Sequence, residues 1–325
     1  MTKGQALPEG DPLQGRFSIG GLELERRVFM APMAGITTPS FRRSVRRWGA
    51  GLVFTEMISA CGIHYRNQRT EGYLVCAAAD HPLGFQLFGA DPGVLADAAA
   101  KCVAAGADLI DLNMACPVRK VMKTGAGAAL LGDADRAVAI VAAVKEAIGP
   151  EVPVTVKIRS GLREGDELGR RVAPRLVAAG AAAICIHPRS AAQLYRGRAD
   201  HATTLALAAD LPVPVIASGD MDGRAAALAL LEGGAAAVML ARHALGRPWL
   251  FTEILDDASP PEPDDMLREL RLFADDVLGA MGHRAVGHLR QFWQRFRRHG
   301  AIDRELAQRL MRAPDEAEVR VLLGL

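Results

Sequence analysis

Eight short apolar runs recur along the chain, each closing on Gly, Pro, Asn or a charged residue and most leading into a segment of helical spacing. They fall at residues 28–30, 52–57, 83–88, 109–113, 153–158, 182–187, 214–218 and 237–242. Apolar residues at helical spacing mark 94–105, 134–148, 167–179, 223–232 and 243–255 between or after them. Strands buried on both faces and alternating with helices form a parallel sheet joined by right-handed crossovers. Eight such units match a closed α/β barrel of the (β/α)8 TIM type in count and length. The rival, an open doubly wound sheet, would show GxGxxG after its first strand. Here Gly125-Ala126-Gly127-Ala128-Ala129-Leu130 lacks the third glycine and follows the fourth strand, so it reads as a loop entering a helix.

The pattern breaks at Ser259-Pro260-Pro261-Glu262-Pro263, as a linker does. Beyond it the spacing is helical to the end. The expected organisation is an extension over 1–20, a catalytic barrel over 21–258 and a small all-helical domain over 259–325. The chain's formal charge is +2, but residues 284–312 hold eight arginines against Asp303 and Glu305. That local +6 leaves −4 elsewhere, so positive charge is concentrated in the helical segment. Leu289, Phe292, Trp293 and Phe296 share one helix face, the expected core. Arg290, Gln294, Arg297 and Arg298 lie on the other. A basic stripe with almost no acids suits RNA phosphates better than a generic solvated face.

Five cysteines without a CxxC pair argue against a zinc site and a disulfide framework, and no metal is expected. Residues 1–15 lack the apolar stretch of a signal peptide, and no uncharged run reaches membrane-spanning length. A reduced, cytoplasmic protein is expected, with a monomer as the default. Cys61, Cys76, Cys102 and Cys185 read as small buried hydrophobes.

Barrel enzymes carry their chemistry at the C-terminal ends of the strands. Those positions hold Ala31-Pro32-Met33-Ala34-Gly35, Gln86, Asn113-Met114-Ala115-Cys116-Pro117, Lys157 with Arg159, His187-Pro188-Arg189, Ser218-Gly219-Asp220 and Ala241-Arg242. Polar side chains from six strands are hard to explain as core. Small residues at the last two turns let backbone N–H groups approach a phosphate, and Arg242 adds charge. Gln86, Lys157 and His187 suit the polar edges of a flat heterocycle. FMN fits the set, its phosphate on strands seven and eight. Asn113 is either a ring or substrate contact or a loop-shaping side chain. Asp220 is either a flavin contact or a helix cap. Arg42, Arg43, Arg46 and Arg47 read as a solvated helix face, with RNA contact the lesser alternative.

Four segments together resemble the flavin-dependent tRNA-dihydrouridine synthases, most nearly the bacterial B-type branch. They are Ala31-Pro32-Met33-Ala34-Gly35-Ile36-Thr37, Asp111-Leu112-Asn113-Met114-Ala115-Cys116-Pro117, Val156-Lys157-Ile158-Arg159-Ser160-Gly161 and Gly246-Arg247-Pro248-Trp249. The resemblance implies reduction of a uridine C5=C6 bond in tRNA, with tightly bound FMN reduced by NADPH. It implies that Pro32, Met33 and Ala34 line the flavin, that Gln86 and Lys157 bind its ring edges, and that His187 lies beside it. Ser218, Gly219, Asp220, Ala241 and Arg242 would hold the phosphate. Hydride would pass from flavin N5 to C6, and Cys116 would protonate C5, a role suited to a thiol that is protonated near neutral pH. Asn113 and, in the helical domain, Arg290, Arg297 and Arg298 would meet the RNA, whose target base must leave its stack. Ser218, Ala241 and Ala115 depart from the usual Asn, Gly and Gly, and a slightly altered phosphate grip is expected.

Two other functions fit parts of the sequence. A flavin barrel acting on a free pyrimidine leaves the C-terminal arginines without a purpose. An RNA-binding barrel without chemistry leaves Cys116 without one.

Overall fold

The structure, a computed structural model, describes residues 10–325; the first nine residues of the expected extension lie outside the described residues. Eleven strands form among them. β1 (Phe17–Ile19) and β2 (Leu22–Leu24) make an antiparallel hairpin. The others are β3 (Val28–Met30), β4 (Val53–Phe54), β5 (Ile58–Ser59), β6 (Leu83–Phe88), β7 (Leu109–Met114), β8 (Val154–Arg159), β9 (Ala183–His187), β10 (Val215–Ser218) and β11 (Ala237–Leu240). They lie side by side in the order β3-β11-β10-β9-β8-β7-β6-β4, all neighbours parallel, with β5 adding to β6. The Phe29–Leu52 bridge and the bonds Met30 N to Leu52 O (2.9 Å) and Gly51 N to Val28 O (2.8 Å) close the ring. All eight expected strands are present.

Residues on each strand alternate between two destinations. One set, including Val28, Val53, Phe85, Ile110, Val156, Ile184 and Val238, packs under the surrounding helices. The other fills the barrel with Phe29, Leu52, Phe54, Leu109, Ala183, Cys185, Ile216, Ala237 and Met239. The β1–β2 hairpin joins that interior cluster through Phe17, Ile19 and Leu24, with Phe17 stacked on Phe29 at 5.8 Å between ring centroids. It plugs the end of the barrel opposite the strand C-termini. Gly20, at φ +54°, sits so close to Ala182 and Pro153 that a Cβ would come within 2.9 Å of each. This hairpin has no signal in the apolar spacing; it reads as two three-residue fragments.

The expected helix at 243–255 is instead a turn over Arg242–Ala244 and a helix over Leu250–Leu255. Gly246 at φ +71° and Pro248 interrupt it. The C-terminal helices Pro263–Met281 and Ala285–Arg298 pack on the helix Pro39–Arg47, and Arg304–Arg312 and Glu316–Leu323 pack on those two in turn. Phe41 lies 6.2 Å from Phe273 and 5.8 Å from Phe292. A Cβ on Gly246 would meet the Arg295–Phe296 backbone at 2.6 Å, so that glycine lets the helix Ala285–Arg298 come close to the barrel.

The arginines of the helix Pro39–Arg47 are not a solvated face. Arg42 is buried against Asp80 at 3.0 Å. Arg43 forks onto Asp276 at 2.8 and 2.5 Å, and Arg47 onto Glu269 at 3.1 and 2.6 Å. Arg46 donates to the carbonyls of Ala50, Gly51 and His81. Asp276 and Glu269 lie far along the chain, beyond the reach of local spacing, so Arg43 and Arg47 tie the helix Pro263–Met281 to the barrel, while Arg42 and Arg46 hold the loops around their own helix. Cys61 is likewise exposed rather than buried, whereas Cys102 and Cys185 lie in the core.

Candidate active site

A cavity partly open to solvent occupies the mouth formed by the strand C-termini. Its lining draws on seven of the barrel strands and the loops after them. Inside the barrel the polarity changes sharply along the strands. The same inward positions that carry Leu109, Ala183 and Ile216 lower down carry Asn113, His187 and Ser218 at the top.

A continuous hydrogen-bond chain runs up one side. Buried Asp111 accepts from Thr155 Oγ1 (2.7 Å) and Gln86 Nε2 (2.6 Å). Gln86 Oε1 accepts from Asn113 Nδ2 at 2.8 Å. Asn113 Oδ1 in turn accepts from the backbone N–H of Ala115 (3.1 Å) and Cys116 (2.9 Å). Burial pushes the Asp111 carboxyl up to about 6, against the pull of its two hydrogen bonds and the Lys157 charge. Asn113 therefore shapes the Cys116 loop while also lining the cavity.

Arg159, buried at the end of β8, clamps that loop from the other side. It donates to Ala115 O at 2.9 Å and to the carbonyls of Ser190 and Leu194 at 2.8 and 2.9 Å. Gly127, at φ +62°, lies under the same loop, where a Cβ would approach Cys116 O to 2.7 Å. This is the local requirement behind Gly125-Ala126-Gly127. Burial raises the Cys116 thiol above its ordinary range, opposed by the Val118 N–H and the Arg159 charge. A thiol so placed holds its proton at neutral pH. Cys116 is half-buried, with Ala115 and Pro117 beside it on the cavity wall.

Lys157 is buried under the cavity, with a long contact to Ser218 Oγ at 3.4 Å, the Cys185 side chain as a second polar neighbour, and no carboxylate ion-paired to it among the described residues. An ammonium in this position favours an acceptor or negative charge in the space above it. His187 is held neutral: burial lowers its pKa to about 2, helped by Lys157, Arg159 and Arg189. Arg189 Nη1 lies 3.2 Å from His187 Nε2, and since a guanidinium only donates, the imidazole proton resides on Nδ1.

Arg189 also forks onto Asp220 at 2.9 and 2.8 Å. Burial would raise the Asp220 carboxyl, but Arg189 and the Ala199 N–H outweigh it and hold the group below its usual range. Asp220 thus spends its carboxylate on Arg189 and the Ala199 N–H; Gly223, not Asp220, stands at the N-terminus of the following helix, which has no side-chain cap. Among the described residues, the backbone N–H groups of Gly219, Asp220, Arg242 and His243 have no acceptor. They border the cavity beside Arg242, whose guanidinium lies 4.3 Å over the Tyr195 ring.

Pro32 and Met33 line the opposite wall, while Ala34 is exposed at the rim. Met33 uses its own N–H on Thr37 Oγ1 and its carbonyl on Ile36 and Thr37, so the side chain is what it offers the cavity. Arg290, Arg297 and Arg298 do not join the cavity. They lie on the helix Ala285–Arg298, with Leu289, Phe292, Trp293 and Phe296 buried beneath them. Arg290 reaches Ala313 O and Arg297 reaches Gln294 Oε1; neither they nor Arg298 forms an ion pair among the described residues.

Tyr195, Arg189 as His187's partner and Asp111 as the root of the Cys116 chain emerge only from the structure. Only Asp111 had a signal, an acid between apolar residues in a strand interior.

Barrel topology with convergent polar groups, a protonated thiol and free backbone donors at the strand C-termini defines a barrel enzyme. The family model described as Dihydrouridine synthase (Dus) matches residues 29–321. The chain belongs to the dihydrouridine synthase family. It is 38% identical over 275 residues to tRNA-dihydrouridine synthase B of Pseudomonas aeruginosa, covering 80% of this chain and 82% of that one. It is 42% identical over 245 residues to the probable tRNA-dihydrouridine synthase 1 of Synechocystis, covering 75% and 67%. Among solved structures, morphinone reductase in complex with tetrahydroNAD superposes with a TM-score of 0.55 at 17% identity, covering 80% of this chain and 93% of that one. The 6-hydroxypseudooxynicotine amine oxidase of Pseudomonas geniculata gives 0.61 at 16%, covering 75% and 50%. These two share the barrel fold.

Proposed function

We propose that this enzyme reduces the C5=C6 bond of a uridine in tRNA, using FMN held in the barrel mouth and NADPH as the reductant. The observation that carries this reading is the Cys116 loop, pinned by Asn113 and Arg159 against the same cavity that Lys157, Gln86 and His187 border. The donor set suits a flat heterocycle with an anionic tail. Lys157 and Gln86 would hold the ring edge, and His187 would offer Nδ1–H. Arg242 and the N–H groups after Ser218 and Ala241 would hold the phosphate. Asp220 would contribute its backbone, because its carboxylate serves Arg189.

The flavin, when bound and reduced, supplies the hydride. Cys116 gives its proton to uracil C5, and the resulting thiolate is stabilised by the Arg159 charge and the Val118 N–H. Asn113 and Arg159 keep the loop in place during this transfer. The helical segment 259–325 would bind the tRNA body through Arg290, Arg297 and Arg298, whose charges are free of ion pairs among the described residues. Dihydrouridine mapping of tRNA by mass spectrometry tests the assignment. A strain lacking this gene should lose the base at one or more positions and regain it with the wild-type gene but not with Cys116→Ala. Unchanged dihydrouridine in the deletion strain would overturn the proposal.

A further inference from the structure

The hydrogen-bond chain beneath Cys116 has a direction, and one residue fixes it. Asp111 is fully buried inside the barrel, facing Gln86 of β6, Thr155 and Lys157 of β8, and Cys185 of β9. An ionised carboxylate has acceptors and no donor. Gln86 must therefore turn its NH2 toward Asp111, as it does at 2.6 Å. That leaves Gln86 Oε1 facing Asn113, which must answer with its own NH2 at 2.8 Å. Asn113 is then left with Oδ1 toward the backbone N–H groups of Ala115 and Cys116. An amide rotated end for end at either position sets two donors against each other. Thr155 donates to the other Asp111 oxygen and holds the carboxylate still.

We infer that Asp111 is a positioning residue: through Gln86 and Asn113, its acceptor-only carboxylate sets the amide orientations that hold the Cys116 loop in its working geometry. This rests on the proposed role of Cys116 for its effect on turnover, but not for its effect on the loop. An amide at 111 can donate as well as accept, so it removes the rule that orients the chain while changing the volume little.

The test compares wild type with Asp111→Asn, Gln86→Leu and the double variant, all in the flavin-loaded protein. The first readout is the rate at which Cys116 reacts with iodoacetamide, followed by peptide mass. The exposed Cys61 serves as the internal control. Asp111→Asn should speed Cys116 alkylation by about fivefold or more, the equivalent of one lost hydrogen bond, and leave Cys61 unchanged. It should lower kcat on tRNA on the order of tenfold to hundredfold with little change in KM. In the Gln86→Leu background the link is already cut, so Asp111→Asn should add nothing. Cys116 alkylation at the wild-type rate in Asp111→Asn would overturn the inference, as would full additivity in the double variant. If Asp111→Asn does not fold, Gln86→Leu alone decides: Cys116 must react faster, and an unchanged rate overturns the inference. Alkylation does not depend on what the enzyme reduces. A wild type that forms no dihydrouridine therefore counts against the proposed function while this inference stands or falls on the thiol.

Discussion

The two ends of the barrel are built on the same strands and obey opposite rules. At the closed end, Phe17, Ile19 and Leu24 seal against Phe29, Leu52, Leu109 and Ile216. A buried charge there, Arg27, lies 4.9 Å over the Phe17 ring with its N–H groups on the Gly15, Arg16 and Ala236 carbonyls. At the open end, the next inward positions carry Asn113, Lys157, Arg159, His187 and Ser218, each buried and most hydrogen-bonded. The closed end stabilises the fold by removing apolar surface from water. The open end works against it, burying charge to create a site. Substitutions should therefore separate stability from activity according to which end they touch.

The largest stability effect belongs to the closed end. Phe29→Ala should cost about 3–5 kcal/mol in denaturant unfolding, with activity per folded molecule unchanged. A small stability loss there, or a selective loss of activity, would break the contrast. The open end should show the opposite sign. Burial raises the Asp111 carboxyl from an ordinary value near 3.8 to about 6. A carboxyl raised in the folded state costs stability as pH rises through that interval, and the cost is full above about 6. Asp111→Asn should then be more stable than wild type at pH 8, by up to roughly 3 kcal/mol. The advantage should shrink as pH falls from about 6 toward 4, in thermal melts of the flavin-free protein. A variant less stable than wild type at pH 8 would place Asp111 among the stabilising groups instead.

The basic face of the helix Ala285–Arg298 touches neither end. Arg298→Ala lies on the exposed face of the helix Ala285–Arg298. It should leave unfolding free energy within about 0.5 kcal/mol. It should also lower the slope of log affinity for tRNA against log salt by about 1. An unchanged slope would remove that face from the docking surface.

The sequence made the barrel legible because eight strands buried on both faces leave nearly continuous apolar runs. It also exposed the mouth residues, since strand ends in such a barrel are few and their side chains chemically distinctive. What it hid shares one cause, partners far apart in the chain. Arg43 and Arg47 looked solvated because Asp276 and Glu269 follow more than two hundred residues later. Tyr195 and Arg189 lie in a loop without periodicity, and only the fold brings them to Arg242 and Asp220 on later strand ends. Asp111 was visible as an acid in a strand, but its hold on Cys116 passes through Gln86, on a neighbouring strand.

If Cys116 delivers the proton to a uracil reduced in this mouth, losing its thiol must slow the chemical step itself. The most direct test mixes the reduced, flavin-loaded enzyme with unmodified tRNA and follows dihydrouridine formed in a single turnover. Cys116→Ala should retain its flavin and form product at least about a hundredfold more slowly than wild type. Product formed by Cys116→Ala at the wild-type rate would contradict the account.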